Sequence, residues 1–508
     1  MVRHGRLSKG CQTCRKRKIK CDQLLPSCTQ CRKGGWVCPQ YGDSVERMFQ
    51  YEDPNCFKKN RKEDCLKEKM LKRRGTVDFL SPAVTVRGNI VPPFNLTKEI
   101  TQPVNDLAID YFLSTHTFRE DGALRGCFEY LLVSNDILTH KEVSSSLKAT
   151  ALTAYGNKFR HTEILHQARR YYGHALRLVN RALECQREAA TNCTMISILL
   201  LNTFEALTSQ SRSSMVYSDG HMRGVMMIMN LRGQSLMDTR EGLQVFLHMC
   251  RCLITYCIMR PVRVPAEVIG LRAHAAKFLD RENPPWKMEE IMIKLAGFRA
   301  DVSEGVLIGH SSIIERALQL DDELSALLDD MPIQWRYEEF ASEEILRATP
   351  PPYYHIYPDL WVAYVWNYIR TCRLLLHKEI RDQLAESMAT PQSSSTELMN
   401  LHEVSERTSD RMISDICASV AQYFRHSPKI VHNTDALPAY SENAFSTVPS
   451  IAGAYFLLWP LMTSGHITES SVYRDWITRH CRVIGQLTGI KRALAIADTL
   501  DNGEELFL

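Results

Sequence analysis

Apolar side chains recur in steps of three and four through most of this chain. Leu165, Ala168, Tyr172, Ala175, Leu176, Val179 and Leu183 fall on one face of a helix with 3.6 residues per turn. Trp361, Tyr364, Val365, Tyr368, Cys372, Leu375 and Leu376 repeat that stripe. Asp238 and Glu241, three apart and just ahead of Leu243, have the spacing of a capping box. Strand-like alternation is scarce. Pro350, Pro351 and Pro352 break one helical stretch from the next, and residues 389–395 (Ala-Thr-Pro-Gln-Ser-Ser-Ser) have loop composition. The pattern predicts a large all-α domain over residues 104–508. It is long enough for a sizeable core, as one large or two smaller domains, and no internal repeat stands out.

The first hundred residues read differently. Between residues 11 and 38 the large apolar groups are Ile19, Leu24, Leu25, Trp36 and Val37. So short a segment cannot bury enough surface to fold on hydrophobic contacts. Pro39 and Gly42 end it, giving a compact module over residues 1–41. Residues 42–103 form a connector, interrupted at Pro54 and extended around Pro82, Pro92, Pro93 and Pro103. A basic helix is compatible with residues 57–74. Its apolar groups, Phe57, Leu66, Met70 and Leu71, do not sustain the heptads of a zipper.

Charge sharpens the division. Residues 1–74 hold 20 Lys and Arg against 8 Asp and Glu, a charge of +12, and the rest of the chain holds 42 against 50, a charge of −8. A basic head on an acidic body suits a nucleic-acid binder with a separate regulatory domain. The clusters at residues 58–62 and 67–74 suit nuclear import, further phosphate contacts or a solvated linker.

The chemistry of the module lies in Cys11, Cys14, Cys21, Cys28, Cys31 and Cys38. Their spacing, C-x2-C-x6-C-x6-C-x2-C-x6-C, is one half-pattern read twice. Residues 1–10 contain no apolar stretch of the secretory kind, and no apolar run reaches membrane-spanning length. A reducing compartment is therefore expected, where clustered cysteines bind metal in preference to pairing. Zinc takes four thiolates tetrahedrally. Two zincs need eight ligand places, and six thiolates supply them if two sulfurs bridge. Cys11 and Cys28, each opening one half, are the natural bridges. Zinc in small finger peptides supplies on the order of 10–16 kcal/mol, enough to stand in for a core.

These residues resemble the fungal zinc binuclear-cluster family of transcription factors. The resemblance covers all six cysteines, the run Cys14-Arg15-Lys16-Arg17-Lys18-Ile19-Lys20-Cys21-Asp22, and Pro26 two residues before Cys28. It implies two short helices after the C-x2-C pairs, around two zincs held by the six thiolates, with Cys11 and Cys28 bridging. It implies a nuclear, sequence-specific regulator of RNA polymerase II transcription. Such a protein places the end of its first helix in the major groove of double-stranded DNA over a CGG triplet. The base-reading lysine of the family falls at Lys18. Arg17 is its neighbour, with a fork suited to guanine. Arg15, Lys16, Lys20 and Arg32 suit phosphate. Control of a metabolic or biosynthetic gene set and transcription co-regulators as partners are further expectations. A monomer, or a homodimer made through the large domain, stays open. Asp22 is expected to cap a turn or pair with a lysine.

Residues 166–233 more loosely resemble the helical regulatory domain that accompanies such clusters. Nothing there suggests an enzyme. Gly309-His310-Ser311-Ser312-Ile313 lacks the closing glycine of a nucleophile elbow. His161, His166 and His174 do not share one face, and Cys250, Cys252 and Cys257 sit among apolar residues as small hydrophobes. Residues 498–508 suit a docked terminal helix or a short acidic activation segment. The alternative function is a zinc-stabilised protein-interaction module with only nonspecific nucleic-acid binding.

Overall fold

The computed structural model describes residues 13, 14, 17, 19–22, 27–36 and 38, then 103–117, 128–132, 135–208, 219–341, 351–388, 396–424 and 451–503. Contacts divide the chain into two units, Met1–Lys98 and Glu99–Leu508. The described part of the first unit contains one short helix, α1 (Thr29–Lys33). Its interior is thiol: Cys14, Cys28 and Cys31 are fully buried, with Cys21, Trp36 and Cys38 packed against them.

The second unit is a helical assembly. In chain order its helices are α2 (Val104–Thr115), α3 (Asn135–Thr139), α4 (Lys141–Lys158), α5 (Thr162–Glu184), α6 (Gln186–Ala189), α7 (Asn192–Thr208) and α8 (Asp219–Arg232). Then come α9 (Arg240–Met259), α10 (Ala266–Ala275), α11 (Pro284–Ser303) and α12 (His310–Asp329). A hairpin of β1 (Glu338–Ala341) and β2 (Tyr353–Ile356) follows. The chain continues with α13 (Leu360–Met388), α14 (Thr396–Tyr423), α15 (Ile451–Ile467), α16 (Ser471–Thr488) and α17 (Lys491–Asp501). One core of buried apolar residues runs through them, from Ala108 to Leu500.

The 3.6-residue stripes fold as read. On α5, Ala168, Ala175 and Val179 are buried, and His161, His166 and His174 are exposed beside it. Three expectations need correction. The antiparallel pair β1–β2 aligns Glu338 with Ile356 and Ala341 with Tyr353, so the unit is not wholly helical among its described residues. The cap of α9 is Thr239, whose Oγ1 accepts the Gly242 N–H at 3.0 Å, and not Asp238 one position earlier. By length and mean hydropathy α9 could cross a membrane, yet 89% of that stretch is buried inside the protein, which makes it a core helix. Its Cys250, Cys252 and Cys257 are buried, as small hydrophobes would be.

The last two described helices are anchored to the rest of the unit. α16 stops at Gly489, whose φ of 78° is the left-handed cap that glycine adopts without a Cβ clash. Asn157 Nδ2 donates to the Gly489 carbonyl at 2.9 Å, and Lys158 Nζ donates to that of Leu487 at 2.7 Å. α17 then buries Ala493, Ile496, Ala497 and Leu500. Residues 498–501 therefore belong to a docked helix.

Candidate metal centre and nucleic-acid interface

The two halves of the first unit share a backbone plan, offset by 17 positions. In the first half Arg17 N–H donates to the Thr13 carbonyl at 3.2 Å, and Ile19 N–H to that of Cys14 at 3.0 Å. In the second, Gly34 N–H donates to the Gln30 carbonyl at 3.0 Å, and Trp36 N–H to that of Cys31 at 2.9 Å. Each half therefore closes a short turn over its second cysteine. In the second half that turn is α1, which starts inside the C-x2-C pair rather than after it. In the first half only Thr13 and Cys14 are helical among the described residues, so the second expected helix is not described in full.

The sulfurs converge. Cys14 Sγ and Cys28 Sγ stand 3.6 Å apart. A disulfide would hold them at about 2.05 Å. Two thiolates bound to one tetrahedral zinc, each at about 2.3 Å, stand about 3.8 Å apart. The observed separation fits zinc and is too long for a disulfide between these two cysteines. Ligand atoms of Cys14, Cys28 and Cys31 lie within 4.8 Å of one another, and so do those of Cys21, Asp22 and Cys28. Cys28 is common to both groups. The Cys31 backbone N–H donates to Cys28 Sγ at 3.4 Å, placing partial positive charge against a sulfur that must be ionised to bind metal. Both carboxylate oxygens of Asp22 accept the Thr29 N–H, at 3.1 and 3.2 Å. Asp22 is thus a cap at the N-terminus of α1, where negative charge is favoured.

Of the expected DNA-contacting residues, Arg17, Lys20 and Arg32 are described, and all three are exposed. Arg15, Lys16, Lys18 and Cys11 lie outside the described residues. Arg17 stacks on the indole of Trp36, with its guanidinium carbon 3.8 Å from the ring centroid. Stacking occupies the guanidinium face; the N–H donors lie in its plane and stay available to an acceptor. Arg32 and Lys33 occupy the last turn of α1, where cations offset the helix dipole.

Trp36 was read from sequence only as one of a few apolar groups. Its role depends on Gly34 and Gly35, which turn the chain back so that the indole covers the end of α1. The signal was present in the 17-residue offset. It sets Gly34 opposite Arg17, Gly35 opposite Lys18 and Trp36 opposite Ile19.

Residues 9–47 match the fungal Zn(2)-Cys(6) binuclear cluster domain. The chain carries a zinc binuclear-cluster domain. Such a domain binds two zinc ions and belongs to DNA-binding transcription regulators, which are typically not enzymes. The buried thiols of the cluster domain are the groups here that fit zinc. No curated protein and no solved structure matches the chain.

Proposed function

We propose that this protein is a nuclear, sequence-specific regulator of RNA polymerase II transcription that reads a CGG-type triplet through the first half of its cluster domain. The six cysteines hold two zincs, with Cys11 and Cys28 bridging; the membership of Cys28 in both ligand groups supports that role. Residues 1–41 are the DNA-binding module, 42–103 the connector and 104–508 the regulatory domain, through which co-regulators act. Control of a metabolic or biosynthetic gene set and a homodimer without a coiled coil belong to the same reading.

One observation carries it. The two halves share their backbone turns, yet at the two positions that close each turn only the first half has long basic side chains. Arg17 and Lys18 of the first half correspond in the 17-residue offset to Gly34 and Gly35 of the second. Glycines cannot donate to base edges, so the first half reads bases and the second completes the metal site. Lys18 contacts guanine O6 and N7, with Arg17 beside it. Arg15, Lys16, Lys20 and Arg32 contact phosphate.

The test is a salt-titrated binding assay on CGG-containing and scrambled duplexes. Lys18→Ala should lower affinity for CGG by about 1–3 kcal/mol and flatten the preference. Lys16→Ala should weaken both duplexes alike and reduce the salt slope by about one. Equal wild-type affinity for both duplexes would instead favour a zinc-stabilised interaction module with nonspecific nucleic-acid binding.

A further inference from the structure

A cavity of about 140 Å³ lies inside the helical unit, between α7, α9, α15 and α17. That volume is close to the roughly 150 Å³ that holds a benzene ring in an apolar protein interior. Phe128, Tyr368, Phe456 and Trp459 give the walls an aromatic character. Two arginines, Arg251 and Arg492, are among the described lining residues, and no Asp or Glu is. The acids associated with these arginines are not among the lining residues. Glu289 lies 3.3 Å from Arg251 Nε, and Glu205 feels the charge of Arg492.

The same lining holds polar atoms that no group among the described residues satisfies. His116 Nε2, Asn202 Oδ1 and Trp459 Nε1 are buried without a hydrogen-bond partner. Their residues are 4%, 7% and 6% exposed. Buried polar atoms are nearly always paired, so three on one cavity point to a ligand. Their chemistry can be assigned. Thr115 Oγ1 donates its proton to the Tyr111 carbonyl at 2.6 Å. His116 Nδ1, 2.9 Å from that hydroxyl, must then be the donor to it. Burial lowers the His116 pKa to about 3, so the ring is neutral and its Nε2 is an acceptor. Asn202 Oδ1 is a second acceptor, and Trp459 Nε1 is a donor.

We propose that this cavity is a binding site for a small hydroxylated aromatic monocarboxylate. The ring lies between the aromatic walls. The carboxylate meets Arg492 and Arg251, and Trp459 donates to the ligand. The ligand hydroxyl donates to His116 Nε2 or Asn202 Oδ1. The proposal is independent of the reading given to residues 9–47, since every group in it belongs to the helical unit.

The test uses the full-length, zinc-loaded protein, with calorimetric titration and thermal shift. The probes are 3- and 4-hydroxybenzoate, with 4-hydroxybenzyl alcohol as the uncharged control. At least one hydroxybenzoate should bind and raise the melting temperature, and the alcohol should bind about tenfold more weakly or less. Arg492→Met, at a half-buried position in the first turn of α17, should weaken hydroxybenzoate by about tenfold and leave the alcohol unchanged. Ala206→Met fills the cavity and should abolish binding; Arg492→Met carries the test if that variant does not fold. The site is overturned if neither acid binds at about 10 mM, or if binding survives both substitutions. Equal affinity for acid and alcohol would overturn the carboxylate assignment.

Discussion

A Cβ added at Gly34 would lie 2.7 Å from the Trp36 ring, whereas one added at Gly35 would meet nothing within 4 Å. The second glycine is needed for its backbone, with φ at 63°. The two positions should therefore fail differently. Gly34→Ala pushes the indole off α1 and away from Arg17, losing a cation–π contact of about 0.5–1 kcal/mol at an exposed site. Gly35→Ala leaves the ring in place and costs about 1–2 kcal/mol for the left-handed backbone. In a zinc-loaded fragment of residues 1–47, Trp36 is the sole tryptophan. Its emission should shift for Gly34→Ala and not for Gly35→Ala, although both lower the melting temperature. A shared emission change would refute the distinction. The cysteine cluster was legible from sequence because ligand chemistry is tied to spacing. Trp36 was not, because it acts on a group that only folding brings near, the Arg17 guanidinium; Asp22 was read as a turn cap or a lysine partner, and the Thr29 N–H that it accepts decides for the cap.

Three helices meet at one carboxylate. Glu289 on α11 is 3% exposed and lies between Arg251 of α9 and Arg272 of α10. Arg272 also stacks on Trp286 at 3.9 Å, and Arg251 on Trp361 at 4.6 Å. Removing the shared acid strands two cations in the interior, a change that typically costs about 3–5 kcal/mol. Urea unfolding of Glu289→Gln should show that loss, and adding Arg272→Leu should recover part of it, since one charge fewer is then stranded. A Glu289→Gln midpoint equal to wild type would show that the ion cluster does not hold these helices together. The helices themselves were readable because each of α5 and α13 buries a stripe at a fixed period. The β1–β2 pair was not, since four-residue strands offer no period to count and β1 is mostly exposed. The α9 cap fell one residue late because Asp238 and Thr239 are both capping types, and neighbouring turns decide between them.

The molecule has two interiors with different physics, one of thiols and one of apolar side chains. Chelating zinc should abolish DNA binding and leave the melting of the helical unit unchanged, because none of the described cysteines of the cluster domain belongs to the larger core. A parallel fall in that melting temperature would contradict the separation. Acid should act on the helical unit as well, through its buried histidines. Burial holds His116 and His248 at about 3 and His480 at about 4. His355 is held at about 2 by burial and by Arg370 and Arg411, despite Glu339 at 3.4 Å. Each stays neutral in the fold and takes a proton near 6.5 once unfolded. Below pH 6.5 the unfolded state therefore binds more protons, and stability falls with pH. Burial pushes the carboxyls of Asp321 and Glu205 up, but His377 and Arg373 at the first and His221, Tyr172 and Arg492 at the second together hold them below their ordinary values of 3.8 and 4.5. Their contribution is present above those values and lost only in stronger acid. Between pH 6.5 and about 4.5 the histidines set the slope, at about 1.4 kcal/mol per unit for each. Four together remove about 5 kcal/mol per unit, comparable to the total stability of many domains. The urea midpoint of the full chain should therefore drop steeply between pH 7 and 5. His480→Gln should flatten that slope by about a quarter, because one of four proton-linked groups is gone. A midpoint constant across this range would mean that these rings are not held neutral in the folded protein.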